Sequence, residues 1–127
     1  MMVWFRIDFH SGKPIYEQIK EGLKELIARS ILKVGDPLPS VREFAKILGV
    51  NVNTVVKAYR ELEMEGIVLP RKGVGYFVNL DEAKVKEAIL RDVKERLVQI
   101  LRDMRKMGLS KDEMMRMIRG LVSEVED

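Results

Sequence analysis

The stretch PSVREFAKILGVNVNTVVKAYRELEMEGIVLPRKGVGYF, from Pro39 to Phe77, leaves the chain few folds to adopt. Ser40 and Glu43 stand ahead of an apolar run with the S-x-x-E spacing of a capping box, which starts a helix. Val41, Phe44, Ala45 and Leu48 recur at helical spacing and predict its buried face, leaving Arg42 and Lys46 outside. Gly49 follows where a sharp turn calls for a left-handed residue. Asn51 is a good N-cap for a second helix that buries Val55, Tyr59 and Leu62 and stops before Gly66. Ile67-Val68-Leu69 and residues 74–78 are β-rich runs around Pro70-Arg71-Lys72-Gly73, so they predict a hairpin with two cations at its tip. That order is a helix-turn-helix followed by a wing, a device that lays a helix in a DNA major groove.

Upstream, Trp4, Arg6, Asp8 and His10 alternate with Phe5, Ile7 and Phe9, the period of a short strand or extended arm. Trp4 reads as a packing residue and His10, the only histidine, as a surface or turn residue. Pro14 opens a helix in which Ile15, Ile19, Leu23, Leu26 and Ile27 form one apolar stripe that ends around Ser30. Gly22 inside it costs about 1 kcal/mol relative to alanine, which predicts another element passing close by. Leu38-Pro39 supplies at most a very short strand.

Downstream of residue 80 the pattern becomes a long charged helix with Val85, Ile89, Val93, Leu97, Ile100, Met104 and Met107 at three- and four-residue steps. Gly108 ends it, and Ser110 with Glu113 starts a last helix carrying Met114, Met117, Ile118, Leu121 and Val125. The fold class expected is mainly α with a small β-wing. Residues 1–80 form the winged helix-turn-helix with its arm, and residues 81–127 form a two-helix antiparallel tail. Two such helices bury too little apolar surface to hold themselves, so the tail is expected to pair with a second copy. Five of the eight methionines lie between Met104 and Met117, where helical spacing beside leucine and isoleucine suits interface filling rather than a soft-metal site.

On the second helix of the motif, Asn53, Thr54, Lys57 and Glu61 share a polar face opposite Val55 and Leu62: asparagine suits adenine, threonine a phosphate or thymine methyl, and lysine a guanine edge or the backbone. Arg42 and Ser40 are placed for phosphate or guanine contact, and Arg71 and Lys72 for the adjacent minor groove. The helix start also favours a phosphate through its free N–H groups. The net charge is only +3, and its surplus lies entirely within residues 1–80, which hold 12 Lys+Arg against 9 Asp+Glu. The chain has no cysteine, an isolated histidine and no glycine-rich phosphate loop, so neither an enzyme nor a cofactor or metal protein is predicted. No apolar run approaches the length of a membrane span and no signal peptide precedes the arm, which predicts a cytoplasmic protein.

The pieces PIYEQIKEGLKELI, LKVGDPLPSVREFAKILGVNVNTVVKAYRELEMEGIV and RKGVGYFV resemble the winged-helix domain of the GntR family of bacterial transcription regulators. The resemblance spans Pro14 to Val78. It implies a homodimer in which Arg42, Asn51, Asn53, Thr54 and the Lys72-Gly73 wing tip contact double-stranded operator DNA. The sequence departs from the family at Val52, where many members carry arginine. Only apolar contact is available there, so recognition is weaker at that base or directed at a thymine methyl. The short tail resembles the YtrA-type subfamily, whose members tend to repress transport operons and dimerise through their two terminal helices. Any small-molecule effector would then act at that helical pair or the groove between it and the reader. The competing reading is a winged-helix protein-interaction module without sequence-specific DNA binding.

Overall fold

A computed structural model describes residues 5–126; Trp4, expected to pack, lies outside them. The elements are α1 (Ile15–Ala28), α2 (Val41–Leu48), α3 (Val52–Met64), β1 (Val68–Arg71), β2 (Gly75–Val78), α4 (Glu82–Lys106) and α5 (Lys111–Glu124). They fall into two compact units, Met1–Ile89 and Leu90–Asp127.

In the first unit, α1 buries Ile19, Leu23 and Leu26 against α3, which also packs on α2. The close neighbour predicted by Gly22 is the N-terminal arm, because a Cβ at Gly22 would lie 2.7 Å from the Phe5 ring. Residues 5–8 of the arm join no strand, and residues 9 and 10 form a turn ahead of α1. Gln18 holds the arm: its Oε1 accepts from the Asp8 N–H at 2.8 Å, and its Nε2 donates to the carbonyls of Asp8 and Lys13, each at 2.9 Å. Phe5 meets Phe44 edge-on at 5.8 Å, Phe44 lies 6.3 Å from Tyr59, and Tyr59 lies 5.4 Å from Tyr76. This chain of rings links the arm to α2, α3 and the wing. Burial drives the Tyr59 hydroxyl pKa far above its ordinary value, with the Glu43 charge adding to the effect, so the group remains a donor, to the Pro39 carbonyl at 2.8 Å.

Local chemistry sets the helix ends. The Ser40 hydroxyl accepts from the Glu43 N–H at 3.1 Å, and Gly49 closes α2 in the left-handed region at φ 71°. The wing pairs Val68 with Val78 through Arg71 with Gly75. Val74, expected in the second strand, instead stands in the turn, 72% exposed, with its N–H donated to the Arg71 carbonyl at 3.0 Å. Positive φ at both Gly73 and Gly75 bends the backbone there, so β2 starts one residue later. Along the other edge of β2, Leu38 N–H donates to the Tyr76 carbonyl at 2.9 Å and Pro37 makes an isolated bridge to Phe77. Buried Asn79 joins the wing exit to the end of α3, with its Nδ2 donating to the Gly66 carbonyl at 2.9 Å and its Oδ1 accepting from the Asp81 N–H at 3.1 Å.

The first unit reaches further than the division expected at residue 80. Val85, only 2% exposed, and Ala88 complete its core, and Ile89 packs against the same cluster. The second unit comprises the rest of α4 with α5. Ser110 forms both halves of a capping box with Glu113, at 3.2 and 2.9 Å. Within this unit α5 has no buried residue among those described. Among the described residues, Leu90, Val93, Leu97 and Ile100 of α4 and Met117, Ile118 and Leu121 of α5 are exposed, as expected of a tail too small to form a core of its own.

Candidate nucleic-acid interface

The polar face of α3 begins at its cap. The Asn51 Oδ1 accepts from the Asn53 N–H at 2.8 Å, and the Asn51 carbonyl accepts from the Thr54 N–H at 3.0 Å. Two of the N–H groups expected to attract a phosphate are thus committed to Asn51. What the cap leaves toward solvent is its own side-chain NH2, a donor for a phosphate or a base edge. Asn53 is exposed and Thr54 half-buried beside it. Val52 is half-buried and packs against the core cluster, so it serves the fold. That packing is a physical use for an apolar side chain at this position.

Ser40 and Arg42 are exposed at the start of α2. The Ser40 oxygen is used as a cap, and its hydroxyl proton is left to donate. At the wing, Lys72 and Gly73 are exposed in the turn, whereas the Arg71 guanidinium lies 4.5 Å from the Phe77 ring centroid. Arg71 therefore braces the wing from its base, and the tip consists of Lys72, Gly73 and Val74. Lys57 is exposed, but its ammonium rests 3.9 Å from the centroid of the Tyr16 ring on α1. Spacing alone does not link Tyr16 to Lys57, because it lies 41 residues earlier, on another helix.

Of the residues expected to pair two copies, Val93, Leu97, Ile100, Met117, Ile118 and Leu121 are exposed, and Met104 and Met114 are half-buried near the turn between the helices. Val85 is corrected: it belongs to the core of the first unit, as does the packed side of Ile89. Leu90 and Met107 extend the row, giving 90, 93, 97, 100, 104 and 107 in alternating three- and four-residue steps, exposed except at half-buried Met104. Among the described residues no helix is long and apolar enough to cross a membrane.

Comparison with known proteins agrees with this geometry. The profile of the gntR family of bacterial regulatory proteins matches residues 15–78. The HTH-type transcriptional repressor YtrA of Bacillus subtilis (strain 168) is 41% identical over 123 residues, covering 95% of this chain and 94% of that protein. A GntR family transcriptional regulator from Listeria monocytogenes superposes with a TM-score of 0.75 at 32% identity, covering 93% of this chain and all of the other. The structure of AraR(DBD) in complex with operator ORE1 superposes with a TM-score of 0.51 at 28% identity, covering 61% of this chain and 98% of the other. With its winged helix-turn-helix and this similarity along nearly its whole length, the chain belongs to the gntR family of bacterial regulatory proteins, DNA-binding transcription regulators rather than enzymes.

Proposed function

We propose that the protein is a repressor that binds a pseudo-palindromic operator as a homodimer, with α3 in a major groove and the wing against the neighbouring minor groove. The observation that carries this reading is the α3 face: Asn53 is exposed beside the capped Asn51, with the basic wing in the same unit. The uncovered heptad-like row of α4 supports pairing, since alternating three- and four-residue apolar steps make the seam of a two-stranded coil. Two-fold pairing requires half-sites about one helical turn apart, or a multiple of it. The repressor role follows the name of the YtrA relative, and the subfamily resemblance extends it to a transport operon. Selecting bound fragments from random DNA tests the reading. Recovery of an inverted repeat supports it, and recovery of no enriched sequence overturns it.

Two substitutions separate reading from anchoring. Asn53→Ala is expected to cost about 1–3 kcal/mol of discrimination at one base position, because a paired hydrogen bond to a base edge is lost. Binding of every single-base variant with the parent's preferences would remove Asn53 from the reading face. Arg42→Ala is expected to lower the slope of log K against log salt by about one unit while leaving sequence preference intact, the mark of a phosphate contact. A changed base preference with an unchanged slope would assign Arg42 to a base instead.

A further inference from the structure

The facing sides of α1 and α3 carry a ladder of three rungs. Tyr16, Lys20 and Lys24 follow at four-residue steps on α1, and Lys57 and Glu61 on α3 with Glu65 at its C-cap do the same. In two rungs charge is cancelled. Lys20 Nζ lies 2.9 Å from Glu61 Oε1 and 2.8 Å from Glu65 Oε2, and Lys24 Nζ lies 2.7 Å from Glu65 Oε1. In the remaining rung the cation is on α3 and the α1 partner is an uncharged ring: Lys57 Nζ over Tyr16 at 3.9 Å. The nearby carboxylate of Glu17 accepts from the Tyr16 hydroxyl at 3.3 Å, and those of Glu61 and Glu65 are held by the α1 lysines.

A π face attracts an ammonium and orders its flexible stem without neutralising it. The ammonium has three donors and only one side against the ring, so N–H groups remain for an anion. Lys57 stands one helical turn beyond Asn53 on the same α3 face, on the flank toward α1. Building on the DNA-binding reading above, we infer that Tyr16 is a positioning residue of the interface, whose ring holds Lys57 with its charge uncompensated so that it meets a backbone phosphate. The interface thereby extends from the helix-turn-helix to the start of α1.

The test measures binding of the full chain to a selected DNA fragment across a salt series, for the parent, Lys57→Gln, Tyr16→Phe, Tyr16→Leu, Tyr16→Glu and the Lys57→Gln/Tyr16→Leu double variant. Thermal unfolding of each verifies that it folds. Lys57→Gln is expected to lower the log K against log salt slope by about 0.9 and to weaken binding roughly five- to tenfold at 0.1 M salt. Tyr16→Phe should match the parent, and Tyr16→Leu should lose affinity in the direction of Lys57→Gln without adding to it in the double variant. Tyr16→Glu, which sets a carboxylate against the ammonium, should lower the slope as much as Lys57→Gln and gives the answer even if Tyr16→Leu does not fold. Parent-like slope and affinity in Tyr16→Leu and Tyr16→Glu overturn the inference while leaving DNA binding standing, and so does full additivity in the double variant. Absence of salt-dependent binding by the parent itself overturns the DNA-binding reading and this inference with it.

Discussion

A chain ending at Ile89 is expected to fold, to run as a monomer, and to bind a complete operator about 10²–10⁴-fold more weakly than the full chain. The first unit keeps its whole core in this variant, since Val85 and Ala88 remain to cover it. What it loses is the uncovered row on α4 and all of α5. Linking two readers makes the second half-site encounter intramolecular, so removing the link lowers operator affinity without touching a single base contact. Light scattering at micromolar concentration and titration of whole and half operators check both parts. A truncated chain that remains dimeric would place the pairing surface in the first unit. A full chain that binds half-sites as tightly as whole ones would end the two-fold model. The cut position matters: a chain ending at residue 80 also loses Val85 and Ala88 from the core. Fully burying a valine is worth about 1.5–3 kcal/mol, so that shorter chain should unfold at clearly lower denaturant than the one ending at Ile89.

Sequence patterns foretell the parts of this fold that are governed by neighbouring residues. The Ser40, Asn51 and Ser110 caps, the left-handed Gly49 and the apolar faces of α1, α2 and α3 are decided within a turn or two of helix, and they stand where local rules put them. Gly22 even announced a close neighbour, although only the tertiary structure identifies it as Phe5. The unit boundary was hidden for the opposite reason. The apolar row of α4 is continuous from Val85 to Met107, and periodicity cannot say that its first turn covers one core while the rest faces outward. At the candidate interface, side-chain types point to Asn53, Arg42, Lys57 and Arg71, whereas the contacts of Arg71 with Phe77 and of Lys57 with Tyr16 depend on ring positions that spacing does not give.

The same α1–α3 ladder predicts where the reader is most sensitive to loss of one charge. Glu65→Ala would leave Lys20 and Lys24 close together, with side chains only 17% and 12% exposed, and Lys24 without its 2.7 Å carboxylate. Breaking a fully buried pair from one side costs about 3–5 kcal/mol; partial solvent contact here reduces the expectation to about 2–3 kcal/mol. For a unit of this size that lowers the thermal midpoint by roughly 10–20 °C. The pH dependence follows from the same geometry. Burial alone would raise the Glu65 pKa, but hydrogen bonds from Lys20 and Lys24 and their charges outweigh it and hold the carboxyl below its ordinary 4.5. The folded form therefore binds this proton less readily than the unfolded chain. Its contribution to stability is full above pH 4.5 and disappears as pH falls through the lowered folded value. Urea unfolding of the parent and of Glu65→Ala at a series of pH values should thus give two curves separated at pH 7 that converge in acid. Replacing Lys20, Lys24, Glu61 and Glu65 together with methionine or leucine should cost much less than Glu65→Ala, because an apolar contact leaves no unpaired charge behind. Equal stability of Glu65→Ala and the parent at pH 7 would show that the two lysines are satisfied without the Glu65 carboxylate. A gap that persists unchanged into acid would assign the loss to packing at the α1–α3 contact.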